Sequence, residues 1–291
     1  MPRGRNLPKS LSGIRDKMSF NFICPVCGEA LCGGEKTLKC INNHSFDVAK
    51  QGYVNLLQSQ KSSKKRHGDD SLMIRARKDF LEKGYYNSLC DGITDILKAN
   101  LKPSMTVADL GCGECWYTAR ILGFLEEQGI SAEVCGIDIS KQALIYGAKR
   151  CSELHLAVAS TAELPLADKS CDAVISVFAP CSASEIYRVL KDDGVWIKAF
   201  PLEKHLMGLK SVIYEKPYEN RVNREAPESF AVSRRKEISR EITLDSSEDI
   251  LNLFRMTPYY YKTSAEDQRK ISGLSHLSTE TEFGIYAYTK L

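Results

Sequence analysis

Two sets of residues in this chain have the types and spacing to do chemistry. The first is the run Val107-Ala108-Asp109-Leu110-Gly111-Cys112-Gly113-Glu114, which reads as a buried strand closing in a glycine-rich bend, with a helix-like run from Trp116 to Leu125 directly behind it. A second strand, Val134-Cys135-Gly136-Ile137-Asp138, ends in an acid. Glycines at such a bend let backbone approach a ligand, and a carboxylate at the end of the next strand takes ribose hydroxyls. This is how an open α/β sheet holds an adenosine-type cofactor.

A dinucleotide would need a third glycine, in G-x-G-x-x-G, so that helix amides can hold a pyrophosphate. Trp116 stands at that position, and the signature is D-x-G-x-G-E. That loop suits a ligand with an amino-acid end and no diphosphate, which is S-adenosylmethionine. The readings expected to hold it are Gly111, Gly113 and Asp138.

The second set is Cys24-Pro25-Val26-Cys27, then Cys40, then His44. Two thiolates in a C-x-x-C knuckle grip one zinc from a single turn, and a second compact pair closes the tetrahedron. Cys32 is a spare that could replace one ligand. Gly33-Gly34 signals a hairpin with Thr37-Leu38-Lys39 as the returning strand, so the module is a small zinc ribbon without a recognition helix. So short a segment buries little apolar surface, and metal binding would supply its folding energy.

The elements that must position these groups follow in order. Ser71 to Leu101 repeats apolar residues at helical spacing, interrupted at Gly84, with Tyr85-Tyr86 at the bend. By spacing, a tyrosine there either covers a cofactor or plugs the core. His155 to Ser160, Cys171 to Phe178 and Gly194 to Phe200 read as the third, fourth and fifth strands, with a helix over Ala183 to Leu190 ending in an Asp193-Gly194 turn. Arg235 to Leu244 and Phe283 to Lys290 read as a closing hairpin with a reversed edge strand. The fourth strand delivers Phe178-Ala179-Pro180-Cys181 beside the reactive methyl, because ligands in such sheets sit beyond the C-terminal ends of the strands. Phe178 can stack on a base and Pro180 lines the same pocket. Cys181 reads either as the nucleophile of a pyrimidine-C5 methyltransferase or as a small buried residue.

Composition bounds the class. The chain has 291 residues, with hydrophobic content of 43% and charged content of 26%, as in ordinary globular proteins. No run approaches a membrane span and no apolar signal core stands at the N-terminus, so the expected compartment is the reducing cytoplasm, where eleven cysteines are metal ligands and buried thiols. Residues 1–70 carry 12 Lys/Arg against 6 Asp/Glu, and the remainder 28 against 31. A basic segment on a near-neutral body fits an enzyme that docks on nucleic acid. The expected organisation is a leader over 1–19, a zinc ribbon over 20–57, a basic linker over 58–70 and the catalytic body over 71–291. The linker cluster Lys61, Lys64, Lys65 and Arg66 reads equally as a phosphate contact or as a tether. A small-molecule methyltransferase of quinone or sterol type would share the glycine loop but gives no reason for a basic zinc module.

The ribbon CPVC…C…H, the following FDVAKQGYVNLL, the KDFLEKGYY bend, the DLGCGE loop, the FAPC strand end, KHLMGLKSVIY and MTP together resemble the bacterial large-subunit ribosomal RNA guanine-N1 methyltransferases, from about Ser19 to the C-terminus. Some members of that family are housekeeping enzymes and some confer macrolide resistance. The resemblance implies a Rossmann-like class I S-adenosylmethionine-dependent methyltransferase sheet with an N-terminal zinc ribbon that recognises RNA. It implies Cys24, Cys27, Cys40 and His44 as zinc ligands, and Tyr86, Gly113, Glu114 and His205 at the cofactor. Spacing alone reads His205 as a helix-surface residue. The implied partner is a hairpin of large-subunit ribosomal RNA, and a homodimer whose paired ribbons embrace that RNA fits the same picture. Met1 to Met18 departs from the family pattern, and Met18 before Ser19-Phe20 reads as the usual family start.

Overall fold

The computed structural model describes residues 20–34, 36–58 and 69–291. The leader and the basic cluster from Lys61 to Arg66 lie outside the described residues.

The ribbon is a three-stranded antiparallel sheet of β1 (Cys32–Gly34), β2 (Thr37–Lys39) and β3 (Ser45–Asp47), in that order. The chain then forms β4 (Tyr53–Asn55), which pairs in parallel with a strand of the main sheet. Two helices follow, α1 (Ser71–Glu82) and α2 (Asn87–Lys98). Asp70 caps the first, its carboxylate accepting from the Met73 amide at 2.9 Å. Gly84, at φ +80°, makes the left-handed turn between them, a conformation that disfavours any side chain.

The main sheet is laid down as β5 (Ser104–Leu110), β6 (Ser131–Asp138), β7 (His155–Val158), β8 (Cys171–Val177), β9 (Leu190–Pro201), β10 (Phe230–Leu244) and β11 (Leu277–Lys290). Its order is β10-β11-β9-β8-β5-β6-β7-β4. The strands from β9 to β4 are parallel, and β11 alone runs against its neighbours β9 and β10. The reversed strand is therefore one place in from the edge, not at the edge as the hairpin reading had it. The helices α3 (Trp116–Glu127), α4 (Lys141–Arg150) and α5 (Ala183–Val189) make the crossovers that parallel pairing demands. The remaining helices are α6 (Met207–Ile213), α7 (Ser247–Arg255) and α8 (Ala265–Ser272). Among the described residues no helix is long and apolar enough to cross a membrane.

One difference from the sequence expectation has a physical cause. No turn forms at Asp193-Gly194; β9 starts at Leu190 and carries an irregularity in its register against β8 there. Lys191 and Lys102 both reach Asp172 at this point, at 2.7 and 2.8 Å, which keeps the extra residues at the strand's margin. The ribbon is also packed into the body. Phe20, Phe22, Leu38, Val54 and Leu56 are buried in one cluster with Ala108, Leu110, Ile137 and Ala157 of the main sheet. The backbone joins in, with Ile23 N donating to Pro165 O at 3.0 Å and Leu56 N to Val158 O at 2.9 Å. The ribbon shares a core with the body.

β5 lies between β6 and β8, so the chain first builds outward on one side of it and then returns to the other. That switch point opens a crevice at the C-terminal ends of the strands, where α/β sheets take their ligands.

Candidate cofactor crevice and zinc centre

The glycine bend at the end of β5 is forced by its surroundings. Gly111 has φ +70°, and a Cβ there would lie 2.4 Å from the Ala179 Cβ at the end of β8. Gly113 has φ +55°, but the nearest atom to a Cβ there is Arg77 Nη1 at 3.7 Å, so the space above it is open. The first glycine lets two strand ends meet, and the second leaves backbone bare to the crevice. Its amide donates to Asp138 Oδ2 at 2.9 Å, while Ser140 N donates to Oδ1 at 2.7 Å. Burial raises the Asp138 carboxyl, and those two amides pull against it. Each oxygen keeps a lone pair, which is what a ribose diol needs.

Asp109 is buried at the base of the same loop and accepts from Thr118 Oγ1 at 2.6 Å. Burial pushes its carboxyl up to about 7, with the Asp138 charge adding to the effect. Glu114 is also buried, and its Oε2 is held by Arg150, whose Nε lies 3.0 Å away and whose Nη1 reaches Glu82 at 2.6 Å. The Glu114 charge is thus committed within the protein, and only Oε1 is left without a partner. The Tyr117 hydroxyl is another buried group with no hydrogen-bond partner among the described residues. Trp116 turns inward, is buried in the core and carries the Arg120 guanidinium on its ring at 4.1 Å.

Tyr86 and His205, 119 residues apart, meet at the far wall, with Tyr86 Oη 3.4 Å from His205 Nε2. The two tyrosines at the Gly84 bend part company: Tyr85 donates to Asp249 at 2.9 Å, and Tyr86 is buried edge-on to Phe80 and Phe283. His205 is not on a helix surface, as its spacing suggested; it is buried in the turn before α6. Its Nδ1 accepts from the Glu282 amide at 3.2 Å, which assigns the proton to Nε2. Burial, helped by the Lys210 charge, pushes the imidazole down to about 3, so it is neutral across the physiological range.

At the mouth, Phe178 has φ +55°, in the left-handed region, and its ring is 44% exposed. Its ring centroid lies 6.3 Å from His205 and 5.9 Å from Phe283. Pro180 is exposed beside it, and its carbonyl accepts from Thr161 Oγ1 at 2.7 Å. Burial pushes the Cys181 thiol up to about 11, the opposite of what a nucleophilic cysteine requires. A shallow cleft of about 370 Å³ between the Gly84 bend and Arg240–Thr243 of β10 is lined by Tyr85 but not by Tyr86, His205, Phe178 or the glycine loop.

The metal tetrad is assembled at one end of the ribbon. Gly28, at φ +78°, closes the Cys24–Cys27 knuckle by donating its amide to Cys24 O at 2.8 Å. Asn43, at φ +61°, turns the chain between Cys40 and His44. The four ligand atoms lie within 4.8 Å of one another. His44 Nδ1 is 3.5 Å from Cys24 Sγ and 3.4 Å from Cys40 Sγ, and Cys27 and Cys40 are 3.7 Å apart. A tetrahedral zinc with ordinary bond lengths has S···N edges of about 3.5 Å and S···S edges of about 3.8 Å. The donor set and its spacing fit Zn²⁺. Cys32, the spare, is exposed and outside the cluster.

The structure therefore brings Gly111, Gly113, Glu114 and Asp138 around one loop, sets Tyr86, His205, Phe178 and Pro180 along its outer wall, and gathers the four ribbon residues separately. Sequence reasoning passed over Arg77 and Tyr117, which also face the loop region. An arginine and a tyrosine on helices carry no sequence mark that separates them from ordinary surface and core residues.

Residues 22–65 match the family model described as RlmA, N-terminal, a zinc ribbon, and residues 108–197 match the one described as Methyltransferase domain. Over 246 residues the chain is 33% identical to YxjB of Bacillus subtilis (strain 168), named for 23S rRNA (guanine-N(1)-)-methyltransferase activity, covering 81% of this chain and 86% of that protein. It is 34% identical over 189 residues to the 23S rRNA (guanine(748)-N(1))-methyltransferase of Streptomyces fradiae, covering 64% of this chain and 65% of that one. Among solved structures it is similar to Haemonchus contortus phosphoethanolamine N-methyltransferase 2 in complex with S-adenosyl-L-methionine, at 17% identity and a TM-score of 0.44, over 75% of this chain and 56% of that one. With one-third identity sustained across most of both chains, the protein belongs to the 23S rRNA (guanine-N1) methyltransferase family.

Proposed function

We infer that the protein transfers a methyl group from S-adenosylmethionine to N1 of a guanine in large-subunit ribosomal RNA. One observation carries this: a zinc ribbon of the RlmA type and an adenosine-binding crevice are built into a single core in a chain whose relatives are named for that reaction. When bound, the donor supplies an electrophilic methyl on a sulfonium. In this reading Gly111 and Gly113 let backbone approach it, Asp138 takes its ribose and Glu114 borders the loop. Tyr86 and His205 close the outer wall. His205 donates from Nε2 to Tyr86 Oη, which leaves the tyrosine's own proton free for the ligand.

N1 lies on the pairing edge of guanine, so the base must be unpaired or flipped into the crevice. Phe178, exposed at the mouth and held out by its left-handed backbone, offers the stacking face, with Pro180 beside it. The protein's work is then alignment and exclusion of water. His205 does not take the N1 proton, because its unprotonated nitrogen already accepts from Glu282 and its imidazole resists protonation. The raised Cys181 thiol speaks against covalent attack on a pyrimidine. The finer reading places the target in a hairpin, where a loop presents unpaired bases, and has two chains pair their ribbons around it in the cytoplasm.

Incubating the protein with large-subunit ribosomal RNA and donor labelled in the methyl group, followed by nucleoside analysis, tests the reading. Label in 1-methylguanosine is expected. Label on cytosine C5, or none on RNA, overturns it.

A further inference from the structure

The glycine loop and Asp138 account for the adenosyl half of the donor, but they offer no counter-charge to its α-carboxylate. We propose that Arg77 is the residue that binds that carboxylate. The proposal rests on the reading of the crevice as an S-adenosylmethionine site.

Arg77 sits on α1, and its Nη1 is the nearest atom to the bare face of Gly113, 3.7 Å from where a Cβ would stand. Its charge is also felt by Asp138, Glu114 and Tyr117 around that loop. The other cation here, Arg150, is already committed to Glu114 and Glu82. The same Nη1 pairs with Asp69 at 2.5 Å, and Nη2 reaches Met256 O at 3.5 Å, the outer limit of a hydrogen bond, so a ligand carboxylate would share the guanidinium with Asp69. A guanidinium has five N–H donors in a planar fork, so most of this one remains available, and the fork matches a carboxylate in a bidentate pair.

A second observation marks the same space as built for a polar ligand. The Tyr117 hydroxyl and Glu114 Oε1 are buried with no partner among the described residues, and both groups feel the Arg77 charge. Buried polar atoms are rarely left unpaired in a finished site.

The test compares two ligands on three proteins by isothermal titration calorimetry. S-Adenosylhomocysteine has the carboxylate, and 5′-methylthioadenosine shares the adenosyl thioether but lacks the whole amino-acid end, ammonium included. The unaltered protein is expected to prefer the first. Arg77→Met should weaken S-adenosylhomocysteine by about 10- to 100-fold and leave 5′-methylthioadenosine within about threefold, so that the preference narrows by that factor. Arg77→Lys should recover part of it, since charge returns without the fork. Equal weakening of both ligands would mean that Arg77 only supports the loop, and unchanged S-adenosylhomocysteine binding would mean that the carboxylate goes elsewhere; either overturns the assignment. Failure of the unaltered protein to bind S-adenosylhomocysteine at all would overturn the cofactor reading as well, and is thereby distinguished from failure of Arg77 alone.

Discussion

Gly111 offers a perturbation whose two costs can be separated. Gly111→Ala puts a methyl 2.4 Å from the Ala179 Cβ in a backbone at φ +70°. The left-handed conformation costs a residue with a side chain about 1–2 kcal/mol. Forcing a methyl into the packed junction of β5 and β8 adds about 1–3 kcal/mol. The expected loss of stability is therefore about 2–5 kcal/mol. Adding Ala179→Gly removes the opposing methyl, and the next atom, Ala179 Cα, is then at an ordinary 3.7 Å. The double variant should regain the packing share and keep the conformational share, less about 0.5–1 kcal/mol for the new glycine's own flexibility. Gly113→Ala is the control, because at φ +55° it has no close neighbour and should lose only the conformational share. Urea denaturation of the four proteins gives the cycle. If the double variant is no more stable than Gly111→Ala, or if Gly113→Ala is the most damaged of the three, the account of the bend is refuted.

Removing zinc should destabilise the catalytic body as well as the ribbon, since Phe20, Phe22 and Leu38 share its core; chelation followed by calorimetry should show a lower Tm for the main transition, and an unchanged Tm would contradict the shared core. Asp109 has a carboxyl raised to about 7 in the fold, against about 3.9 for a free one, so its protonated form is favoured by folding and the stability it contributes is present near pH 4 and lost as pH rises through about 7. Asp109→Asn should accordingly gain Tm relative to the parent at about pH 8 and little at about pH 4; a pH-independent difference would contradict the burial argument. Phe178→Ala should lower kcat/KM for RNA about 10- to 100-fold, from loss of a stacked base worth about 1–3 kcal/mol, with S-adenosylhomocysteine affinity unchanged by calorimetry; equal loss of both would place the ring on the cofactor instead.

What could be read from residues was local. The D-x-G-x-G-E bend, the acid at Asp138, the knuckle at Cys24–Cys27 and the break at Gly84 each announce themselves within a few positions, because steric permission and ligand spacing are short-range properties. The features that went unread depend on partners far along the chain. β4 is three residues long and becomes a strand only because β7, a hundred residues later, offers it an edge. β11 lies inside β10 because its buried alternation suits a place between two strands, which no turn residue declares. His205 owes its burial to Tyr86 and Phe283, and Glu114 is claimed by Arg150, 36 positions away. Arg77 was hidden for the same reason: only the fold brings it over Gly113.

The short strand β4 has a mechanical meaning. A headpiece on a flexible leash samples many distances, whereas one stitched into the sheet's ladder at Leu56 and Val158 is held at a set place beside the sheet. Lengthening or shifting that one seam by a residue would change the distance between the cysteine–histidine tetrad and the crevice.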